Sequence, residues 1–144
     1  MEVVKRLQKA QIEPNKINSV VEQLTKVKII DDARFAKDWV RSRDRLSPRG
    51  KYLLKQELKE RGITPAVIEQ TLNLRESAEW SEEIGLPFSD SPIDRRLVET
   101  LVSKHLLKNN LTTEKEKHLL MNKLARRGFS ANLIYELVCR ADRN

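Results

Sequence analysis

A chain of 144 residues with 39% apolar and 34% charged residues has room for one modest domain or two small ones around a thin core. Its 28 Lys and Arg against 21 Asp and Glu leave a net charge of +7, which suits a polyanionic partner without requiring one. A single cysteine, Cys139, excludes an intramolecular disulfide, no apolar run reaches membrane-spanning length, and no signal-peptide core follows Met1, so a soluble, reducing, cytoplasmic setting with no membrane partner is expected.

Four glycines, few aromatics and abundant Leu, Lys, Glu and Arg favour helix, and no stretch alternates apolar and polar residues long enough to read as a sheet. The expected fold class is all-α. A shift of 66 positions lays Leu53-Leu54, Leu58, Arg61-Gly62 and Ile68 over Leu119-Leu120, Leu124, Arg127-Gly128 and Ile134. Such internal similarity predicts tandem three-helix, helix-turn-helix-like repeats in a curved array.

In chain order, residues 1–28 read as an incomplete first repeat, in which Leu7, Ile12, Pro14, Ile17 and Val21 match Leu58, Ile63, Pro65, Ile68 and Leu72. This copy lacks its first helix, leaving Val3, Val4 and Leu7 without a cover, so a truncated or processed fragment is expected. Residues 29–75 read as a full repeat. Asp31-Asp32 look like the N-cap and dipole partner of a helix with Phe35, Ala36, Trp39 and Val40 on its apolar stripe. Ser47-Pro48 then breaks the chain, Gly62 stops the next helix, and Thr64-Pro65 start a third.

Residues 76–94 hold six acidic side chains and no basic one, with Gly85, Pro87 and Pro92. This stretch reads as an acidic connector, with Trp80 and Phe88 available to dock it. The remainder of the chain then carries +13. Residues 95–144 read as the last repeat: Leu97, Val98, Leu101, Val102 and Leu106 supply its first stripe, Thr113 and Glu116 form a capping box, and Gly128 with Ser130 repeat the stop and start.

No chemistry stands out. Asp31 and Asp32 sit side by side with no base or nucleophile nearby, so no catalytic residue is assigned. His105, His118 and Cys139 are too few and too irregularly spaced for a metal, and no glycine-rich phosphate loop occurs. No enzyme activity, metal or cofactor is expected. Phe35, Trp39, Tyr52 and Phe129 stand beside leucines at helical spacing and read as core rather than as base-stacking platforms.

The basic residues are concentrated. Arg41 to Arg61 carry a net +5, and Lys51, Lys55 and Lys59 recur every four residues as a row on one helix face. Arg43 follows Trp39 by four, at the edge of the apolar stripe, where an ion pair with Glu57 is expected.

The run Ile30-Asp-Asp-Ala-Arg-Phe-Ala-Lys-Asp-Trp39-Val-Arg-Ser-Arg43, followed by Gln56-Glu-Leu-Lys-Glu-Arg61-Gly-Ile63, resembles the RecX family, as does Leu124-Ala-Arg-Arg-Gly-Phe129 its last repeat. The structural signature comprises Asp31, Asp32, Phe35, Trp39, Arg43, Glu57, Leu58, Gly62 and Gly128. The resemblance implies a curved row of three-helix repeats that lodges in the groove of the RecA filament on single-stranded DNA. It implies modulation, most often inhibition, of RecA's ATPase and recombinase activity in DNA repair and recombination. The filament- or DNA-facing surface expected on that basis comprises Arg41, Arg45, Arg49, Lys51, Lys55, Lys59 and Arg61, together with Lys123, Arg126 and Arg127. A monomer is expected. Two alternatives are a direct DNA-binding helical module and a protein–protein adaptor that docks by apolar contacts.

Overall fold

A computed structural model describes residues 14–109 and 111–143. Seven helices account for most of them: α1 Pro14–Leu46, α2 Lys51–Glu60, α3 Pro65–Leu74, α4 Ala78–Ile84, α5 Ile93–Lys108, α6 Glu114–Arg126 and α7 Ala131–Arg143. No strand occurs among the described residues, and the fold is all-α. Helices α1 and α2 pack on α3, and α5 and α6 pack on α7. These make an N-terminal and a C-terminal three-helix unit, with α4 lying against α1 between them. Among the described residues, no helix is long and apolar enough to cross a membrane.

Helix α1 departs from expectation. It runs unbroken for 33 residues, about 50 Å at the α-helical rise. Asp31 and Asp32 lie in its middle and so are not an N-cap. The reason is local: no Gly or Pro interrupts residues 15 to 47, and two aspartates in a helix interior cost only a fraction of a kcal/mol each, about 0.5. The boundary expected between residues 28 and 29 therefore falls inside a continuous rod. Ile17 is buried and Val21 half-buried, whereas Leu24, Val27, Ile29 and Ile30 are exposed. Val3, Val4, Leu7 and Ile12, on which the start of the first repeat rests, lie outside the described residues.

The other boundaries follow backbone chemistry. Gly62 and Gly128 take φ values of 79° and 87°, the left-handed geometry that ends a helix. Thr64 stands at the N-cap of α3 with Pro65 next. The Thr113 hydroxyl accepts from the Glu116 N–H while the Glu116 carboxylate accepts from the Thr113 N–H, a complete capping box.

The acidic stretch is more ordered than its breakers suggest. Ser77 Oγ accepts from the Trp80 N–H and starts α4, whose Trp80 is 2% exposed. Of the two aromatics expected to dock the stretch, Trp80 does so and Phe88 is exposed, while Leu86 and Ile93 are buried with Trp80. One apolar cluster then continues from Val40, Leu54 and Leu58 through Trp80, Leu86 and Ile93 to Leu97, Leu124 and Val138.

The two units touch backbone to backbone. The Gly50 N–H donates to the Arg127 carbonyl at 2.7 Å. A Cβ on Gly50 would land on the Gly128 carbonyl, and one on Gly128 would land on the Leu53 side chain. Only residues without side chains permit this approach.

Candidate functional site

Helix α2 is amphipathic: Leu54 and Leu58 are fully buried, and one exposed face carries Lys51, Lys55 and Lys59. Successive ammonium groups are spaced by about 6 Å of helix rise, and none has a carboxylate within ion-pair distance among the described residues. The row borders a groove of ≈ 780 Å³ between α2 and α3, with Ile68 and Leu72 from α3 and the carboxylates of Glu69 and Glu76 also on its lining. Tyr52, beside the row and 63% exposed, lines the same groove.

The neighbouring arginines are differently placed. Glu57, almost buried, accepts a hydrogen bond from Trp39 Nε1–H at 2.8 Å. It pairs with Arg43 Nε and Arg49 Nε, each at 3.3 Å. The Arg43 pairing is the one predicted from its place at the stripe edge. The guanidinium of Arg61 stands 3.8 Å from the Trp39 ring centroid and that of Arg43 4.6 Å, close enough for strong cation–π attraction. Arg41 pairs with Glu83 at 2.6 Å, and Arg45 donates to the Glu83 carbonyl at 2.8 Å. Within the expected basic surface of this unit, then, the lysines have no carboxylate partner among the described residues, Lys51 lying over the Tyr52 ring at 5.7 Å, while the arginines hold α1, α2 and α4 together.

The aromatic side chains also divide. Phe129 is buried as expected and Trp39 packs half-buried against the core. Phe35, stacked on Trp39 with ring centroids 6.0 Å apart, is 43% exposed, and Tyr52 is more so. The core reading fails for these two because their positions face away from the partner helix.

On the C-terminal unit Lys123 and Arg126 are exposed, and Arg127 is half-buried at the seam between units. There it lines a cleft of ≈ 270 Å³ together with Arg45 and Lys104. Lys104 stood outside every motif in the sequence.

A second group missing from the sequence reading holds this geometry. Arg75, 1% exposed, donates from Nε and Nη2 to the Asp44 carboxylate at 2.9 and 2.8 Å. It also donates from Nη1 to Asp94 at 2.6 Å and from Nη2 to the Arg49 carbonyl at 2.9 Å. Trp80 Nε1–H donates to Asp44 as well, at 2.9 Å. Burial pulls the Arg75 pKa down, but hydrogen bonds and charge from Asp44 and Asp94 outweigh it and leave the guanidinium more firmly protonated than a free arginine. Asp94 also accepts from the Lys51 N–H at 3.0 Å, so it ties the start of the lysine row to α5. No three His, Cys, Asp or Glu side chains gather as a metal site among the described residues.

The family described as RecX, second three-helix domain, matches residues 31–72, which include the Trp39–Glu57 network and the lysine row. The regulatory protein RecX of Mycolicibacterium smegmatis is 33% identical over 124 residues, 83% of this chain and 58% of that protein. That of Chlorobium phaeobacteroides is 35% identical over 72 residues, 50% of this chain and 48% of its own length. That of Oceanobacillus iheyensis is 28% identical over 142 residues, 98% of this chain and 47% of its own length. The chain thus spans about half the length of the curated relatives it matches. No solved structure matches it. With a RecX three-helix domain around its lysine row and RecX relatives aligned along most of its length, the chain belongs to the RecX family of regulatory proteins.

Proposed function

We propose that this protein binds the RecA recombinase in its filament on single-stranded DNA and restrains RecA's ATPase and strand-exchange activity. The family gives the regulatory role. The observation that carries the rest is the lysine row: three ammonium groups with no carboxylate partner among the described residues, at one-turn intervals on a rigid helix, beside a groove of mixed polar and apolar lining, mostly within the segment that matches the RecX domain. A surface of this kind suits a nucleoprotein, because the lysines attract phosphates and acidic side chains while Tyr52, Ile68 and Leu72 offer apolar contact to protein. Binding would act as a wedge in the filament groove, obstructing the closure or DNA access that ATP hydrolysis needs. The protein is proposed to act as a non-enzymatic, cytoplasmic monomer.

The test is RecA's DNA-dependent ATPase rate measured across a titration of this protein. A dose-dependent fall is expected. An unchanged rate at saturation, with a longer RecX chain from the same source equally inert, would sink the proposal. Binding to naked DNA that equals binding to the filament would instead favour a direct DNA-binding module.

A further inference from the structure

We infer that the cleft at the seam between the two units is a phosphate-binding site, formed by Arg45 from α1, Lys104 from α5 and Arg127 from the end of α6. Three cations from three separate elements line one concavity of ≈ 270 Å³. Neither Lys104 nor Arg127 has an ion-pair partner among the described residues. The single carboxylate on the lining, Asp44, is already held by Arg75 and Trp80 and has little negative charge left to offer. Arg45 is oriented by its hydrogen bond to the Glu83 carbonyl.

Helix dipoles account for part of this arrangement, since Arg45 and Arg127 sit at helix C-termini, where cations are favoured. They do not account for Lys104, a full turn before the end of α5. Nor do they explain why cations from both units meet at one cleft. Three cationic side chains around one concavity raise the local positive potential, and an anion there is attracted by all three.

Size and lining select the ligand. The cleft is smaller than the roughly 300–1,000 Å³ that buries a whole small molecule. Its apolar part, Ile84, Leu86 and Leu97, offers no hydrogen bond to a sugar or base edge. It suits one anionic group belonging to a larger molecule, and a guanidinium fork matches phosphate oxygens. Lys123, one turn before Arg127 on α6, extends the positive track along which a strand would continue. The inference rests on the proposed function for the source of the phosphate, the backbone of the filament's single-stranded DNA.

The decisive measurement uses no RecA, so its failure is separate from a failure of the proposed function. Affinity for a fluorescein-labelled oligothymidylate is followed by anisotropy across a salt series for the full chain, for Lys104→Gln/Arg127→Gln, and for Lys26→Gln/Lys28→Gln. The last pair removes equal charge from the exposed N-terminal half of α1. The Arg127 substitution spares the backbone carbonyl that receives Gly50, and matching thermal melts verify folding. The cleft variant is expected to bind at least about fivefold more weakly at low salt, with the slope of log affinity against log salt reduced by about 0.7 per cation lost. The α1 variant is expected to stay near the parent.

Equal losses in both variants, or none in the cleft variant, would overturn the inference, whereas a parent chain with no affinity for the oligonucleotide would remove the strand as the source of the phosphate. A second arm adds inorganic pyrophosphate and follows amide resonances of residues 84–86 and 127–128. Shifts there with both ligands support a strand phosphate. Shifts with pyrophosphate alone, abolished in the cleft variant, keep the site and assign it to a free anion. No shift with either overturns it.

Discussion

The Arg75 guanidinium and the Asp44 carboxylate form a bidentate pair from which water is excluded, with side-chain exposures of 1% and 0%. Asp44 lies in the last turn of α1, Arg75 follows α3, and the same guanidinium reaches Asp94 at the start of α5. A buried pair of this kind is fragile when halved. Arg75→Met leaves Asp44 charged and unpaired in the interior and is expected to reduce the unfolding free energy by about 3–5 kcal/mol. The readout is a lower urea midpoint at unchanged slope. Adding Asp44→Leu should recover part of the loss, because the stranded charge is then gone. A double variant no better than the single one would contradict this account.

The backbone contact at the seam predicts a ranking among glycines. Gly62 has open space around its missing Cβ, and Gly128 does not, although both have positive φ. Gly62→Ala should cost about 1 kcal/mol, the price of left-handed backbone alone. Gly128→Ala should cost clearly more, about 3 kcal/mol, because Leu53 must move as well. Gly50, at φ −70°, isolates the contact from backbone strain, so Gly50→Ala should loosen the seam with no local helix defect. Guanidinium chloride unfolding of the three variants checks the order.

Charge reversal probes the lysine row. Lys51→Glu/Lys55→Glu/Lys59→Glu is expected to abolish the proposed inhibition of RecA's ATPase while the far-ultraviolet circular dichroism stays that of the parent, since all three side chains are exposed. Retained inhibition would mean that the protein docks by apolar contacts.

The capping box of α6 gives a pH dependence. Backbone N–H groups of Thr113 and Thr112, with the Thr112 hydroxyl, hold the Glu116 carboxyl below its ordinary value of 4.5. A folded pKa below the unfolded one means that the stabilisation is complete above the unfolded value and is lost as pH falls through the folded one. Melting temperature should therefore drop on acidification below about pH 4.5, and Glu116→Gln should flatten that part of the profile. An identical acid profile in the variant would remove Glu116 from the explanation.

Features set by neighbours in the chain could be read from the sequence. The stops at Gly62 and Gly128, the Thr113–Glu116 capping box and the Arg43–Glu57 pairing all follow from spacing within one repeat. Asp31-Asp32 misled because an N-cap signal decides nothing unless the preceding residues stop being helical, and no breaker precedes them. Arg75 was invisible for two reasons. A lone arginine after a helix reads as solvated, and its place in the next repeat is taken by Ala141, so self-comparison could not single it out. Its partner Asp44 lies 31 residues away. Lys104 escaped in the same way, because its significance arises only where two units meet. The row of Lys51, Lys55 and Lys59 was legible as a pattern, but the groove beside it depends on how α3 packs.

The unbroken run of α1 imposes a phase relationship. With 3.6 residues per turn, each residue added near position 28 would swing everything N-terminal to it by about 100° around the rod and push it outward by about 1.5 Å. No flexible joint exists in α1 to absorb such an error, so its length acts as a gauge for whatever the N-terminal half presents. A seven-residue insertion or deletion, which restores the azimuth to within about 20°, would leave that presentation facing nearly the same way.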